Sequence, residues 1–266
     1  MKRILVICGA IALVPTAVAM AGSSAVPTKT PGKLVVGFDV PAPGFWNGRV
    51  SGTTIKHPSG FEYALSRAIA KRLAIKNVVY RRSPFGTLFT AGKKPFDFAM
   101  EEATITIQRA KVVSFSAPYF NAEQGVLIRK GLSPKPTRIS DLKRLQLCAQ
   151  SATTGLAYIQ HTLRPAKRPL VYSASSTAAF DAVEARRCDA LILDTPIVVS
   201  QSKKKPGAYG GVIGQINTHE QYGAIMDKGS SLKPFVDRAI RALKANGTIG
   251  KLQRKWLPFT RVPLLK

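Results

Sequence analysis

The chain has 266 residues, 40 Lys+Arg against 14 Asp+Glu, and a formal net charge of +26. It is also 45% hydrophobic, which excludes a disordered basic tail, and only one stretch is apolar enough to enter a bilayer, which excludes a polytopic membrane protein. Charge of this size on its own points to a polyanion partner: nucleic acid, anionic lipid or cell-wall polymer.

In chain order, residues 1–21 read first as a secretory signal peptide. Lys2 and Arg3 precede an apolar run from Ile4 to Val14, and Ala17-Val18-Ala19 and Ala19-Met20-Ala21 are both cleavage candidates. An uncleaved anchor is the alternative. Cys8 lies inside the apolar run, too early for a lipid-modified cleavage cysteine, so a free periplasmic or extracytoplasmic protein is expected. Cleavage would remove Lys2 and Arg3 and leave a net charge of +24 on the mature chain. Export argues against DNA or RNA as partner. The basic residues agree, falling in short clusters such as Arg81-Arg82, Arg186-Arg187 and Lys203-Lys204-Lys205 with no nucleic-acid-binding signature.

Next comes a strand pattern at Lys33–Asp39. Ser59-Gly60-Phe61-Glu62 has capping-box spacing, which assigns Glu62 to the cap, and an apolar helical face then runs to Leu73. Strands are expected at Asn77–Arg81 and Phe96–Met100. After an extended segment, Tyr119–Arg129, a second series follows: strand Leu145–Ala149, helix Gly155–Leu163, strand Leu170–Ser173, helix Thr177–Arg186 and strand Ala190–Asp194. Val212–Asp227 is extended again. Helices close the chain at Leu232–Ala245 and Ile249–Trp256, with Asn246-Gly247 as the stop between them. The alternation predicts α/β architecture: two lobes joined by two extended crossings, with a hinged cleft between them.

With Cys8 removed, Cys148 and Cys188 remain as a disulfide candidate in an oxidising compartment. Two buried free thiols are the alternative, since a bridge requires neighbouring strands. His57, His161 and His219 are dispersed without metal-ligand spacing, and no phosphate loop, C-x-x-C or nucleophile elbow occurs. No catalytic residue, metal or cofactor is therefore expected.

The richest stretch is Phe96-Asp97-Phe98-Ala99-Met100-Glu101-Glu102-Ala103-Thr104-Ile105-Thr106-Ile107-Gln108-Arg109-Ala110-Lys111, continuing to Phe115-Ser116-Ala117-Pro118-Tyr119-Phe120. A strand end, a hydroxyl-bearing turn and an arginine suit capture of a carboxylate. The stretch resembles the Thr-Ile-Thr-x-x-Arg-Ala-Lys and Phe-Ser-x-Pro-Tyr-Phe signature of the family 3 periplasmic solute-binding proteins, the polar amino-acid receptors of ABC transporters. Other segments are similar to that family in the same order. They are Leu34–Asp39, Gly60–Leu73, Ile139-Ser140-Asp141-Leu142, Ser151–Gly155, Asp189–Pro196, Gln221–Ile225 and Asn246–Trp256.

The resemblance implies a two-lobed type II periplasmic-binding-protein-like α/β fold. Lobe 1 would comprise 22–118 plus 223–266, the hinge crossings 119–124 and 217–222, and lobe 2 residues 125–216. It implies that Arg109, Thr104 and the N–H groups of Thr153 and Thr154 hold a ligand α-carboxylate, and that Asp194 and the Glu102 carbonyl hold an α-ammonium. Asp39, Phe45, Trp46, Phe85 and Gln150 would line the side-chain pocket or its mouth. Bland readings stand beside these: Asp194 as a helix cap, Thr104 as a turn residue, Phe85 and Trp46 as core or surface. The chain departs from the family in carrying Glu101-Glu102 where small residues are usual, and Ala152 where the loop usually has glycine.

The function implied is an amino-acid-binding protein of an ABC importer. It would be a monomer whose partners are a small zwitterion, a membrane permease and, through its charge, an anionic envelope surface. A prephenate-type dehydratase on the same scaffold, with Glu101 or Glu102 as general acid, and a basic envelope-binding protein are the alternatives.

Overall fold

A computed structural model of the chain describes residues 25–173, 175–257 and 261–266; the expected signal peptide and Cys8 lie outside them. The first sheet takes its strands in the order β4-β1-β5-β12-β6. β1 (Lys33–Phe38) pairs in parallel with β4 (Asn77–Arg82) and β5 (Phe98–Ala99), while β12 (Ile225–Asp227) runs antiparallel to β5 and β6 (Val113–Phe115). A hairpin of β2 (Asn47–Ser51) and β3 (Thr54–Ser59) leads into α1 (Phe61–Arg72). The apolar stripe of α1 packs with α6 (Lys233–Ala245) and α7 (Thr248–Trp256) around a core holding Leu65, Ile69, Val236, Ile240 and Ile249. Burial of such side chains contributes about 1.5–3 kcal/mol each.

The second sheet has the order β11-β7-β10-β8-β9. β8 (Leu147–Gln150) lies parallel to both β9 (Leu170–Tyr172) and β10 (Ala190–Asp194). β10 is buried along its whole length, because helices cover both faces of the sheet. α3 (Thr154–Tyr158), continued as a π-helical turn to Leu163, lies on one face, and α4 (Ser176–Glu184) and α5 (Thr195–Lys204) on the other. Cys148 on β8 is bonded to Cys188, two residues ahead of the adjacent β10, so the bridge ties neighbouring strands.

Two long antiparallel strands join the lobes, β7 (Phe120–Arg129) and β11 (Tyr209–Tyr222). Residues 120–124 and 217–222 are the paired ends of these strands. One boundary is corrected. Residues 261–266, expected in lobe 1, run along the second sheet. Pro263 O accepts from Gln215 N at 2.8 Å, Leu265 N donates to Gln215 O at 2.9 Å, and Lys266 O accepts from Ile139 N at 2.8 Å. β11 is an edge strand, and its outward backbone groups need partners that the chain terminus supplies.

Candidate functional site

Between the lobes lies a cleft of about 600 Å³, counting its open mouth. Asp39, Phe85, Glu101, Glu102, Thr104 and Arg109 reach it from the first lobe, and Gln150, Thr153, Thr154 and Asp194 from the second. The structure therefore brings most of the expected ligand residues to one place.

Arg109 is set there by a local device. Thr106 caps α2 (Ile107–Val112), its hydroxyl accepting from Arg109 N at 3.1 Å. The guanidinium then crosses the cleft, donating to Thr104 O and to Ala152 O, both at 2.8 Å. It lies 4.0 Å from the centre of the Phe89 ring and 5.7 Å from that of Phe85. Burial lowers its pKa to about 10, so it stays cationic at neutral pH. Ala152, which stands in the expected glycine position, holds a left-handed φ of 63°. That conformation costs about 1–2 kcal/mol with a Cβ and aims the Ala152 carbonyl at Arg109.

Opposite, Thr153 caps α3: its hydroxyl accepts from Leu156 N at 3.2 Å and donates to Gln150 O at 2.7 Å. Gly155 lets this helix start close to β10, since a Cβ there would stand 2.7 Å from Ile192 O and from Gln124 Oε1. Asp194 ends β10. It makes no side-chain cap to α5; its carboxylate instead accepts from Gln124 Nε2 at 2.8 Å and from the Tyr222 hydroxyl. Burial and then the nearby Glu220 carboxylate raise its pKa to about 7.

Three sequence readings are corrected. Glu62 does not serve a capping box, for Gly60 occupies the N-cap with no side-chain bond. Its buried carboxylate accepts from Trp46 Nε1 at 2.9 Å, from Glu102 N at 2.9 Å and from the Tyr119 hydroxyl, behind the cleft floor. Gly60 has φ 116°, and a Cβ there would fall 2.3 Å from Phe45 O, so the chain turns too tightly for a hydroxyl cap to form. Phe45 does not line the cleft but is core, edge-on to Phe61 and Phe120. Trp46 is core as well, its indole N–H held by Glu62 and by Met100 O at 2.8 Å.

Around Glu62 gathers an acidic cluster. Glu101 is buried with both carboxylate oxygens lacking a partner among the described residues, and Glu102 Oε1 is likewise unpartnered. Burial pushes Glu101 well above the usual carboxylate range, and Asp39 and Glu62 push it further. Burial and Glu62 do the same to Glu102, whose backbone takes a left-handed φ of 48°. Asp39, at the rim, pairs with Arg82 at 3.1 Å and accepts from Phe85 N at 3.3 Å.

Sequence reasoning missed Glu220. From β11 its carboxylate accepts from Thr104 Oγ1 at 2.6 Å, Thr154 Oγ1 at 2.7 Å and Gln124 Nε2 at 3.0 Å. It thereby links a hydroxyl of each lobe through the hinge and takes the proton each hydroxyl could offer a ligand. Its position just before Gln221-Tyr222-Gly223, in a chain with few acids, was the available signal. Ser175, Ser176, Leu193 and Ile197 also line the cleft unanticipated. Among the described residues, no group of His, Cys, Asp and Glu is arranged to hold a metal ion.

The family model for bacterial extracellular solute-binding proteins, family 3, matches residues 34–259. The ABC transporter arginine-binding protein 1 of Escherichia coli (strain K12) is 27% identical, covering 75% of this chain and 82% of its own. The arginine-binding periplasmic protein of Mannheimia haemolytica is 29% identical, with 74% and 81% covered. Among solved structures, an ancestral arginine-binding protein bound to arginine superposes with a TM-score of 0.73 at 28% identity, covering 85% of this chain and 98% of its own.

Proposed function

Because the chain belongs to the bacterial extracellular solute-binding proteins, family 3, we propose that it captures an amino acid with a cationic side chain in the interlobe cleft and delivers it to the permease of an ABC importer. The observation that carries the side-chain class is the pair Glu101 and Glu102 beside Asp39 in the cleft, with buried carboxylate oxygens that lack donors among the described residues. A buried acceptor without a partner costs about 1–3 kcal/mol, and an incoming ammonium or guanidinium supplies both donors and charge. Names of relatives that bind arginine support the same class.

In this reading Arg109 holds the α-carboxylate, together with the backbone N–H groups where Thr153 and Thr154 open α3. The Thr104 and Thr154 hydroxyls are engaged by Glu220, so they contribute lone pairs, not protons. Asp194 and the Glu102 carbonyl take the α-ammonium, and Phe85 covers the aliphatic stem. Ligand bridging the two lobes favours the closed population, and the permease reads that form.

Calorimetry against the full set of amino acids tests this. Arginine- or lysine-like ligands should bind at micromolar affinity or tighter, with acidic amino acids silent. Arg109→Ala should weaken binding by about 100-fold or more, the loss expected when a desolvated charge pair loses one partner. Tightest binding of an acidic amino acid would overturn the side-chain class, and unchanged affinity in Arg109→Ala the site. Turnover of prephenate or arogenate would instead favour the dehydratase reading.

A further inference from the structure

Exposed positive charge forms an unbroken layer on one group of helices. On the outer layer of lobe 1, every exposed side chain of α1, α6 and α7 is Lys or Arg except Pro234 and Ala245. α1 presents Arg67, Lys71 and Arg72. α6 presents Arg238, Arg241 and Lys244, and α7 presents Lys251, Arg254 and Lys255. The acids of these helices are Glu62 and Asp237, both buried. In lobe 2, α4 exposes Thr177, Asp181 and Glu184 and α5 exposes Lys203 and Lys204, so what sets the lobe 1 layer apart is three adjoining helices that expose cations and no acid. The three helices pack on one another, and α6 alone is about 20 Å long.

We propose that this helical layer is a docking face for a bilayer of anionic phospholipid. A protein partner fits it poorly. Protein interfaces are built around aromatic and apolar anchors and are depleted in Lys. The exposed large apolar residues of the described chain, Val79, Ile107, Val171 and Leu264, all lie off these helices. Long cationic side chains over a dry helical layer match instead an extended sheet of phosphate headgroups, which they reach without displacing packed core. No residue of the three helices lines the cleft, so docking by this face leaves ligand capture available.

The test is sedimentation with vesicles of phosphatidylglycerol and phosphatidylcholine, using the mature full chain. The protein should bind anionic vesicles at about 0.1 M salt and leave purely zwitterionic ones, and about 0.5 M salt should release it. The triple variant Arg238→Glu, Lys244→Glu, Arg254→Glu should lose at least about tenfold in vesicle partitioning with ligand affinity and melting profile retained. A second triple variant in lobe 2, Lys130→Glu, Arg168→Glu, Arg187→Glu, makes the same change in net charge and should keep most of the binding. Equal losses in the two variants would overturn the proposal, because net charge and not this face would then be responsible. Absence of wild-type binding at about 0.1 M salt would overturn it too, as would capture by an acidic polypeptide with no vesicle binding.

Discussion

In the proposed site Asp194 takes the ligand ammonium, while burial favours its neutral form. With its pKa raised to about 7, against 3.8 unperturbed, a large share of the free protein carries a proton there at neutral pH. An ammonium bound at Asp194 must expel that proton, so affinity should rise by up to about tenfold per pH unit below pH 7 and level off above it. Calorimetry between pH 5 and 8 in buffers of different ionisation enthalpy reads both the affinity and the released proton; a flat profile would remove Asp194 from the site. The stability of the ligand-free protein moves the other way. A raised native pKa stabilises fully below the unfolded value and is lost as pH climbs through about 7, and Glu101 and Glu102 shift in the same sense. Glu220 deserves a separate mutation. Glu220→Ala frees the Thr104 and Thr154 hydroxyls but removes the carboxylate that ties the lobes together, and should weaken ligand binding by about tenfold, the loss of one charge-assisted hydrogen bond. Affinity that rises in this variant would show the carboxylate competing with ligand. Residues of this kind mark where sequence reading stops. Arg109 and Asp194 could be placed through motifs, whereas the depth of Glu62, Trp46 and Phe45 depends on tertiary contacts that no local spacing encodes.

Among the elements, the strongly patterned ones were legible. β1, α1, β10 and α6 each carry an apolar run or stripe that the lobe cores absorb. The hairpin Asn47–Ser51 with Thr54–Ser59 was not, because Ile55 is its one buried apolar residue and neither strand shows a clean alternation. The short α2 was read only as a turn with an arginine, although Thr106 caps it. Nor did anything in residues 261–266 announce pairing with β11, since edge-strand partners are chosen by what is nearby. The Cys148–Cys188 bridge does belong to the element scale, closing a segment of sequence separation 40 that includes α3, β9 and α4. Closing a loop of that length removes unfolded-state entropy worth about 4 kcal/mol. The double variant Cys148→Ser, Cys188→Ser should therefore lose about 2–4 kcal/mol in urea unfolding, and the reductant sensitivity of the wild type should vanish with it. Equal stability of the two proteins with and without reductant would mean that the bridge contributes nothing.

At the scale of the whole molecule, charge is sorted by depth. Of the 14 acids, Glu62, Glu101, Glu102, Asp194 and Glu220 gather in or behind the cleft. Others are bound to backbone amides, as Asp97 is to Lys29 N and Val35 N at 2.6 Å each. Apart from a few acids such as Asp181 and Glu184, the surface is left to cations. Ion pairs that do reach it, such as Lys205 with Glu184 at 2.7 Å, are exposed and individually worth little. Long-range repulsion among the remaining Lys and Arg therefore outweighs surface attraction, and salt should act on repulsion first. Raising ionic strength from about 0.01 to 0.3 M shortens the Debye length from about 30 to below 8 Å. The expected gain is about 1 kcal/mol, or roughly 2–4 °C in Tm for a chain of this size. Chloride is the appropriate anion for the titration, because multivalent anions would add site binding to screening. A protein held together by its surface ion pairs would respond with the opposite sign, so a Tm that falls with added chloride would refute this account of where the charges lie. The same titration bears on the docking face. Salt that relieves repulsion within the chain also screens its attraction to an anionic bilayer, so stability and vesicle binding should move in opposite directions over one range of salt.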